Sequence, residues 1–188
     1  VITRRALDFG CGPGRLSQAL ASHFDEVYGV DIAPSMIDQA KKYNKQGEKC
    51  RYIVNEMDDL RIFARDFFNF IYSSITLQHI DPVYTKRYLK EFLRVLAPGG
   101  TLVFSLPLRP VRLGDRFCYR FFRRAWYNRE KKKVWPALIM EMHGIHRNKV
   151  IKLITRAGGR IFQIINDPAS GEKWISLKYF VQKPKYSL

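Results

Sequence analysis

The stretch Ala6-Leu7-Asp8-Phe9-Gly10-Cys11-Gly12-Pro13-Gly14 decides the fold. It begins as a mainly apolar run and ends in three glycines, and from Leu16 to Phe24 apolar residues recur at helical spacing. This pattern predicts a buried strand, a tight turn and a helix. Glycines let the backbone of such a turn bend sharply and approach a ligand, toward which the amide groups at the start of the helix point.

The alternation of strands and helices continues after this turn. Ser35 is the predicted N-cap of the next helix, and Pro98-Gly99-Gly100 ends a later one. The alternation predicts a Rossmann-like, doubly wound α/β fold with a mostly parallel sheet, whose last two strands pair as an antiparallel hairpin because residues 166–173 are rich in turn formers. The further predicted strands are 27–31, 51–54, 67–73, 101–105, 160–165 and 174–182, and the further predicted helices are 35–43, 84–96 and 148–157.

The length of 188 residues, with 46% hydrophobic and 27% charged residues, is that of one ordinary globular domain. We therefore expect a single domain over residues 1–188. Residues 107–146 interrupt the alternation with Pro107, Pro110 and Pro136 and with a dense basic and aromatic stretch. We interpret them as an inserted lid segment.

The sequence predicts a cytoplasmic protein. It contains no signal-peptide pattern and no apolar run of about 18 residues, the length that would suggest a membrane span. The cysteines Cys11, Cys50 and Cys118 are odd in number and widely spaced, so we expect reduced thiols rather than a disulfide framework. The chain begins at Val1 just before a predicted strand, and we expect a further segment to precede it in the protein.

Asp31 closes the second predicted strand, at the edge of the sheet where the glycine turn also lies. A carboxylate at this position accepts hydrogen bonds from ribose hydroxyls, a role that serves both NAD and S-adenosylmethionine. The spacing Gly-x-Gly-x-Gly differs from the dinucleotide pattern Gly-x-Gly-x-x-Gly, because position 15 is Arg15. A nucleotide-dependent oxidoreductase is therefore the less favoured class.

The stretch from Ala6 to Gly14 resembles the first motif of the class I S-adenosylmethionine-dependent methyltransferases, in which an acidic residue, here Asp8, stands two positions before the first glycine. The similarity continues through residues 30–36, 56–60 and 96–100 and covers roughly residues 4–106. It implies a seven-stranded sheet with an antiparallel last strand and S-adenosylmethionine as cofactor, with S-adenosylhomocysteine as product. The cofactor-binding residues that it implies are Asp8, Gly10, Cys11, Gly12, Gly14, Asp31, Ile32, Met36, Glu56, Met57, Asp58, Ser74 and Leu77.

In this family the glycine turn contacts the methionine part and the ribose of the cofactor. The resemblance implies that Asp31 holds the ribose hydroxyls and that Ile32 and Met36 flank the adenine. Glu56 or Asp58, with the backbone of Met57, would meet the adenine amino edge. Two departures stand out, because Asn69 replaces a frequent aspartate in the fourth strand and the usual cofactor-covering helix before the first strand is absent.

His79 is the candidate catalytic residue. It follows the fourth strand, so in this architecture its segment faces both the sulfonium and the acceptor. Methyl transfer depends mainly on alignment, with a base needed only where the acceptor carries a proton, and histidine suits that role. The alternative is a histidine that only hydrogen-bonds the backbone at the end of the strand. The neighbouring Gln78 is a candidate for substrate binding.

His143 and His146 have a separation that metal ligands also show, but two ligands without a third are a poor case, so we expect no metal. The two histidines would line the acceptor pocket, as substrate-binding residues, or cap the helix that begins near Asn148.

The insertion carries about half of the formal net charge of +16. Within Arg116–Lys133, arginines and phenylalanines alternate at helical spacing, which predicts an amphipathic helix. It would be a solvated lid, a nucleic-acid surface or a contact with an anionic membrane. The sequence thus predicts an S-adenosylmethionine-dependent methyltransferase with an unidentified acceptor. The alternative is a non-catalytic binding module that presents this basic surface to nucleic acid or membrane.

Overall fold

The computed structural model describes residues 4–111 and 142–185, which form one seven-stranded sheet in the order β3-β2-β1-β4-β5-β7-β6. Strands β1 to β5 are parallel, and β7 is antiparallel to both of its neighbours. The predicted fold class is confirmed. The strands are β1 (Arg5–Phe9), β2 (Glu26–Asp31), β3 (Cys50–Val54), β4 (Phe68–Ser73), β5 (Leu96–Pro110), β6 (Arg160–Asn166) and β7 (Trp174–Gln182), and the helices are α1 (Arg15–Leu20), α2 (Pro34–Lys42), α3 (Pro82–Val95) and α4 (Arg147–Arg156).

Two apolar cores lie on opposite faces of the sheet. Side chains alternate along a strand, so Leu7 and Phe9 of β1 face the larger core while Ala6 faces the smaller one. Helices α3 and α4 cover the larger core, and α2 covers the smaller one with Ile37. Burial on both faces explains why the central strands read as nearly continuous apolar runs.

The start of helix α2 differs from the prediction. Ser35 is not the N-cap of α2, because Ala33 occupies that position and Pro34 is the first helical residue. Proline suits the first turn, where its missing amide hydrogen is not needed. Helix α3 has a side-chain cap that the sequence analysis missed, since the carboxylate of Asp81 accepts a hydrogen bond from Val83 N at 2.8 Å. No helix within the described ranges is long and apolar enough to cross a membrane.

Strand β5 is much longer than the predicted 101–105, and it contains Pro107 and Pro110. Residues 107–110, which we expected to belong to the insertion, pair with β7 instead. The carbonyl of Pro107 accepts a hydrogen bond from Ile145 N, on the edge of β5 that lies away from β7. The missing amide hydrogen of Pro107 belongs to that same edge, so this proline costs no hydrogen bond to β7. The expectations about Arg116–Lys133 lie outside the described residues.

Candidate active site

The loops that follow β1, β2, β3 and β4 meet at one edge of the sheet, which we call the carboxyl edge. The parallel register places Phe9 beside Val30 and Asp31 beside Val54. Ligands of open α/β sheets bind at this edge. The structure therefore gathers the glycine turn, Asp31 and the loops after β3 and β4, as the sequence analysis predicted.

The glycine turn is held against β2 and against the loop after β4. Gly10 N donates to the carbonyl of Val30 at 2.7 Å. Gly10 has φ +76°, and a Cβ built on it would overlap the side chain of Thr76. Gly12 also has a positive φ, +51°, but nothing lies within 4 Å of a Cβ built there. The space beside Gly12 is therefore open to a ligand, whereas the space beside Gly10 is filled by protein.

The carboxylate of Asp31 ties the glycine turn to the start of α2. Its Oδ2 accepts a hydrogen bond from Gly12 N at 2.9 Å, and its Oδ1 accepts one from Ala33 N at 2.9 Å. Each carboxylate oxygen has a second lone pair, and the side chain is partly exposed. Asp31 is thus fixed in position and still able to accept hydrogen bonds from a ligand.

Asp8 lies beneath the glycine turn and is 3% exposed. Its Oδ2 accepts a hydrogen bond from Ser17 Oγ at 2.7 Å. Burial raises the pKa of Asp8 to about 6, and the hydrogen bonds with Ser17 oppose that rise. Cys11 is buried in the smaller core, and burial also raises the pKa of its thiol. The side chains of Asp8 and Cys11 therefore support the turn from below rather than face the open edge.

Exposed apolar side chains surround the position predicted for the adenine. Ile32 is 67% exposed and Met57 is 56% exposed. Met36 on α2 is partly buried. These side chains offer two apolar surfaces beside Asp31, which is the arrangement that a flat aromatic ring requires.

In the loop after β3, the contacts of Glu56 and Asp58 distinguish these two candidate acceptors for the adenine amino group. Asp58 forms an ion pair with Arg87 of α3. Within the described residues, the exposed carboxylate of Glu56 makes no hydrogen bond or ion pair. The carbonyl of Met57 accepts a hydrogen bond from Tyr88 Oη at 2.6 Å, which fixes the loop on α3. This geometry favours Glu56 over Asp58 as the acceptor.

The loop after β4 is backbone-strained. Ile75 has φ +64°, a left-handed conformation that is rare for a β-branched residue and that occurs mainly at functional sites. Ser74 is partly exposed, and its carbonyl accepts a hydrogen bond from Thr76 Oγ1. The side chain of Leu77 is 0% exposed and packs in the larger core. The prediction that Leu77 faces the cofactor is therefore wrong for its side chain, because the short helical turn at Leu77–His79 directs it inward.

Gln78 joins this loop to two other segments. Its Oε1 accepts a hydrogen bond from Ser170 Oγ at 2.8 Å, its Nε2 lies 3.0 Å from Nε2 of His79, and its backbone carbonyl accepts one from His143 N at 2.7 Å. Gln78 is 5% exposed, so its side chain is a connector and offers almost no surface to an acceptor. His79 is partly exposed at the carboxyl edge.

The two histidines before α4 have separate structural contacts. His146 is the N-cap of α4, and its ring Nδ1 accepts a hydrogen bond from Asn148 N at 3.3 Å. The expectation of a helix cap is thus confirmed for His146. His143 bonds to Gln78 through its backbone. Among the described residues, no group of three or more histidine, cysteine or acidic side chains could hold a metal ion.

Asn69, one of the two departures from the family pattern, lies near the start of β4. Its Oδ1 accepts a hydrogen bond from Arg5 N at 3.1 Å. The start of a parallel strand is at the opposite edge of the sheet from the glycine turn. This departure therefore does not touch the candidate site.

Sequence reasoning missed the residues that support the glycine turn from other elements. Tyr52 of β3 fills the space beside two glycines. A Cβ built on Gly14 would lie 2.6 Å from the nearest atom of Tyr52, and one built on Gly29 would lie 2.7 Å from it. Thr76 fills the same role beside Gly10. One signal was available, because a glycine inside a strand, here Gly29, often marks the close approach of another group.

The comparison with known families agrees with this geometry. Residues 6–100 match a family described as a methyltransferase domain. This chain belongs to that family. Over 105 residues the methyltransferase domain is 38% identical to a ubiquinone biosynthesis O-methyltransferase of Coxiella burnetii, a match that covers 54% of this chain and 43% of the relative. The chain thus spans less than half the length of that relative.

Solved structures show the same fold. An S-adenosylmethionine-dependent methyltransferase of Methanosarcina mazei superposes with a TM-score of 0.74 at 24% identity, covering 97% of this methyltransferase domain and 93% of that chain. Magnesium protoporphyrin IX methyltransferase of Synechocystis, solved with bound S-adenosylhomocysteine, superposes with a TM-score of 0.66 at 16% identity, covering 94% and 72%. The resemblance to class I methyltransferases is confirmed.

Proposed function

We propose that this chain transfers a methyl group from S-adenosylmethionine to an acceptor bound at the carboxyl edge. The observation that carries the proposal is the pair of hydrogen bonds from Gly12 N and Ala33 N to the Asp31 carboxylate. They present a fixed acceptor beside an open glycine turn, which is what a ribose with two neighbouring hydroxyls needs.

The residues at this edge fit the cofactor. Asp31 would accept the ribose hydroxyls, and the exposed apolar surfaces of Ile32 and Met57 would flank the adenine. Glu56 would accept a hydrogen bond from the adenine amino group. The space beside Gly12 admits a ligand to the backbone. When bound, the cofactor supplies a methyl group already activated by a positively charged sulfur.

The protein's own part in the reaction is alignment and management of charge. The negative carboxylate of Asp31, partly exposed at the carboxyl edge, would favour a cation there. Because the relative from Coxiella burnetii is named as an O-methyltransferase, we propose a hydroxyl group as the preferred methyl acceptor. His79, at the same edge, would take the hydroxyl proton on Nε2 after releasing the hydrogen bond that this atom accepts from Gln78 Nε2.

Calorimetric titration with S-adenosylhomocysteine tests the proposal. Asp31→Ala should weaken binding about 10- to 100-fold, because hydrogen bonds to a charged group contribute roughly 1.5–3 kcal/mol. Asp38→Ala, at an exposed position on α2, is the matched control and should bind normally. Asp31→Asn keeps one acceptor oxygen for the backbone and gives a second variant if Asp31→Ala unfolds. Wild-type affinity in both Asp31 variants would remove Asp31 from the site.

The rival function is a binding module without catalysis. Folded wild-type protein that fails to bind S-adenosylhomocysteine, yet binds nucleic acid or anionic vesicles in a salt-dependent way, would support this rival and overturn our proposal. The proposed contact with nucleic acid or an anionic membrane through Arg116–Lys133 belongs to the same test. We also propose a cytoplasmic location, because Cys11 and Cys50 are free thiols, as is usual in reducing compartments.

A further inference from the structure

A wide groove of about 1270 Å³ lies between α3 and α4, on the face of the sheet opposite α2. None of its lining residues belongs to the glycine turn or to the loop after β4. The groove is strongly basic, since the described residues that line it include only two acidic ones, Asp66 and Glu91. Its basic lining residues are Arg65, Lys86, Lys90, Arg94, Lys149, Lys152, Arg156, Arg160, Lys183 and Lys185.

The cations form a row on each wall. Along α3, Lys86, Lys90 and Arg94 recur every fourth residue, and along α4 Lys149, Lys152 and Arg156 recur at helical spacing. Residues at such spacings share one face of a helix. Both helices run from the carboxyl edge to the opposite edge, because α3 precedes β5 and α4 precedes β6, and β5 and β6 point the same way. The two rows are therefore parallel.

The two acidic residues neutralise one cation of the rows, Arg94, and none of the other five within the described residues. Asp66 pairs with Lys183 at 2.6 Å and Glu91 pairs with Arg94 at 2.8 Å, so each is matched by a cation of its own. Within residues 4–111 and 142–185, the other cations of the groove have no acidic partner and are exposed. Their mutual repulsion is a cost that an anionic ligand would remove.

The shape and lining of the groove select one kind of ligand. Its volume exceeds the roughly 300–1,000 Å³ of usual small-molecule pockets. A membrane is flat, so it would contact only the rims of a concave groove. Among the described residues that line the groove none is aromatic, so their affinity would come from phosphate contacts rather than from base stacking.

We propose that the groove between α3 and α4 binds the phosphate backbone of a single nucleic acid strand, without sequence preference. The described residues that line the groove lie outside Arg116–Lys133 in the sequence, and the proposal does not depend on methyl transfer. Lys86 and Lys149 are the row members nearest the starts of their helices, so they lie at the carboxyl-edge end of the groove. A strand bound along the rows therefore ends beside the candidate site.

Fluorescence anisotropy with a labelled single-stranded RNA of about 20 nucleotides, titrated over a series of KCl concentrations, tests the proposal. The groove variant combines Lys90→Gln, Lys149→Gln and Lys152→Gln. The control variant removes three exposed lysines elsewhere, by Lys41→Gln, Lys42→Gln and Lys45→Gln. The groove variant should bind more than about tenfold more weakly at low salt, and its slope of log affinity against log salt should fall by about 2. The control variant should retain the wild-type slope.

Three outcomes would overturn the proposal. Equal losses in the two variants would mean that binding follows overall charge. Wild-type RNA binding by the groove variant would remove the groove from the interface. Lost cosedimentation with phosphatidylglycerol vesicles, together with unchanged RNA binding, would assign the groove to a membrane. Both variants should still bind S-adenosylhomocysteine, so failure here is distinguishable from failure of the proposed methyl transfer.

Discussion

Gly12 and Gly14 stand two positions apart in one turn, both with positive φ, but their surroundings differ. An alanine at Gly12 would enter open space, so the cost to folding is the left-handed backbone alone, about 1–2 kcal/mol. The new methyl group would occupy cofactor space, and affinity for S-adenosylhomocysteine should fall strongly. Gly14→Ala would also meet Tyr52 Oη at 2.6 Å and should lower the free energy of unfolding by about 2–5 kcal/mol. Urea denaturation and calorimetry separate the two effects, and equal destabilisation would contradict this interpretation.

Asp8 makes the stability of the domain depend on pH. Its pKa is raised from 3.8 to about 6 by burial, so between these values the folded protein keeps a proton that the unfolded chain has lost. The free energy of unfolding therefore falls as pH rises through this window, by roughly 2–3 kcal/mol in total, and is constant above it. Asp8→Asn should flatten this part of the profile and leave the domain more stable than wild type at neutral pH.

Urea denaturation from pH 4 to pH 7 measures the difference between wild type and Asp8→Asn. Asp38→Asn, on the exposed side of α2, is the control and should keep the wild-type profile. A difference that does not change with pH would show that Asp8 has an ordinary pKa in the folded state.

At the level of elements, the loop after β4 is connected to the hairpin of β6 and β7 through Gln78 and Ser170. A double-mutant cycle with Gln78→Met and Ser170→Ala should give a coupling of about 1 kcal/mol in the free energy of unfolding. The backbone bond from His143 N to Gln78 is kept in every variant. A coupling near zero would show that the side-chain bond does not link the two elements.

The elements show where sequence reasoning succeeds. Strands with buried faces on both sides and helices with one apolar face leave periodic patterns, so β1, β2, α3 and the final hairpin were predicted close to their observed positions. The extension of β5 was not predicted, because prolines such as Pro107 and Pro110 usually end a strand. Whether a proline breaks a strand depends on which edge its nitrogen faces, and for Pro107 that edge is set by the register with Ser176 of β7, about seventy residues away.

The residues of the candidate site likewise fall into those that the sequence predicts and those that it does not. Asp31 and the glycines follow from local spacing and from the rule that parallel strands end together. The inward turn of Leu77 and the partners Tyr52, Thr76 and Ser170 depend on contacts between segments far apart in sequence. A pattern within one segment contains no information about such contacts.

For the whole molecule, the net charge of +16 predicts that salt stabilises the fold. Excess positive charge repels itself in the compact state, and added ions screen this repulsion. The thermal midpoint should rise between low and high KCl, while a neutral solute of the same osmolality controls for exclusion effects. A midpoint that falls with KCl would mean that attractive ion pairs, such as Lys183 with Asp66, dominate the electrostatics.

Beyond the end of β4 and the last pair of β6, β5 and β7 continue as a two-stranded ribbon over residues 107–110 of β5, about 13 Å long. Hydrogen bonds from Ile145 N to Pro107 and from Val111 N to Lys173 fasten the chain on both sides of residues 112–141 to this ribbon. Both ends of this segment are attached to the sheet by these hydrogen bonds. We therefore expect changes in the length or sequence of residues 112–141 to have little effect on the free energy of unfolding. We propose that this segment determines the choice of acceptor, so that relatives could exchange it and keep the cofactor-binding part unchanged.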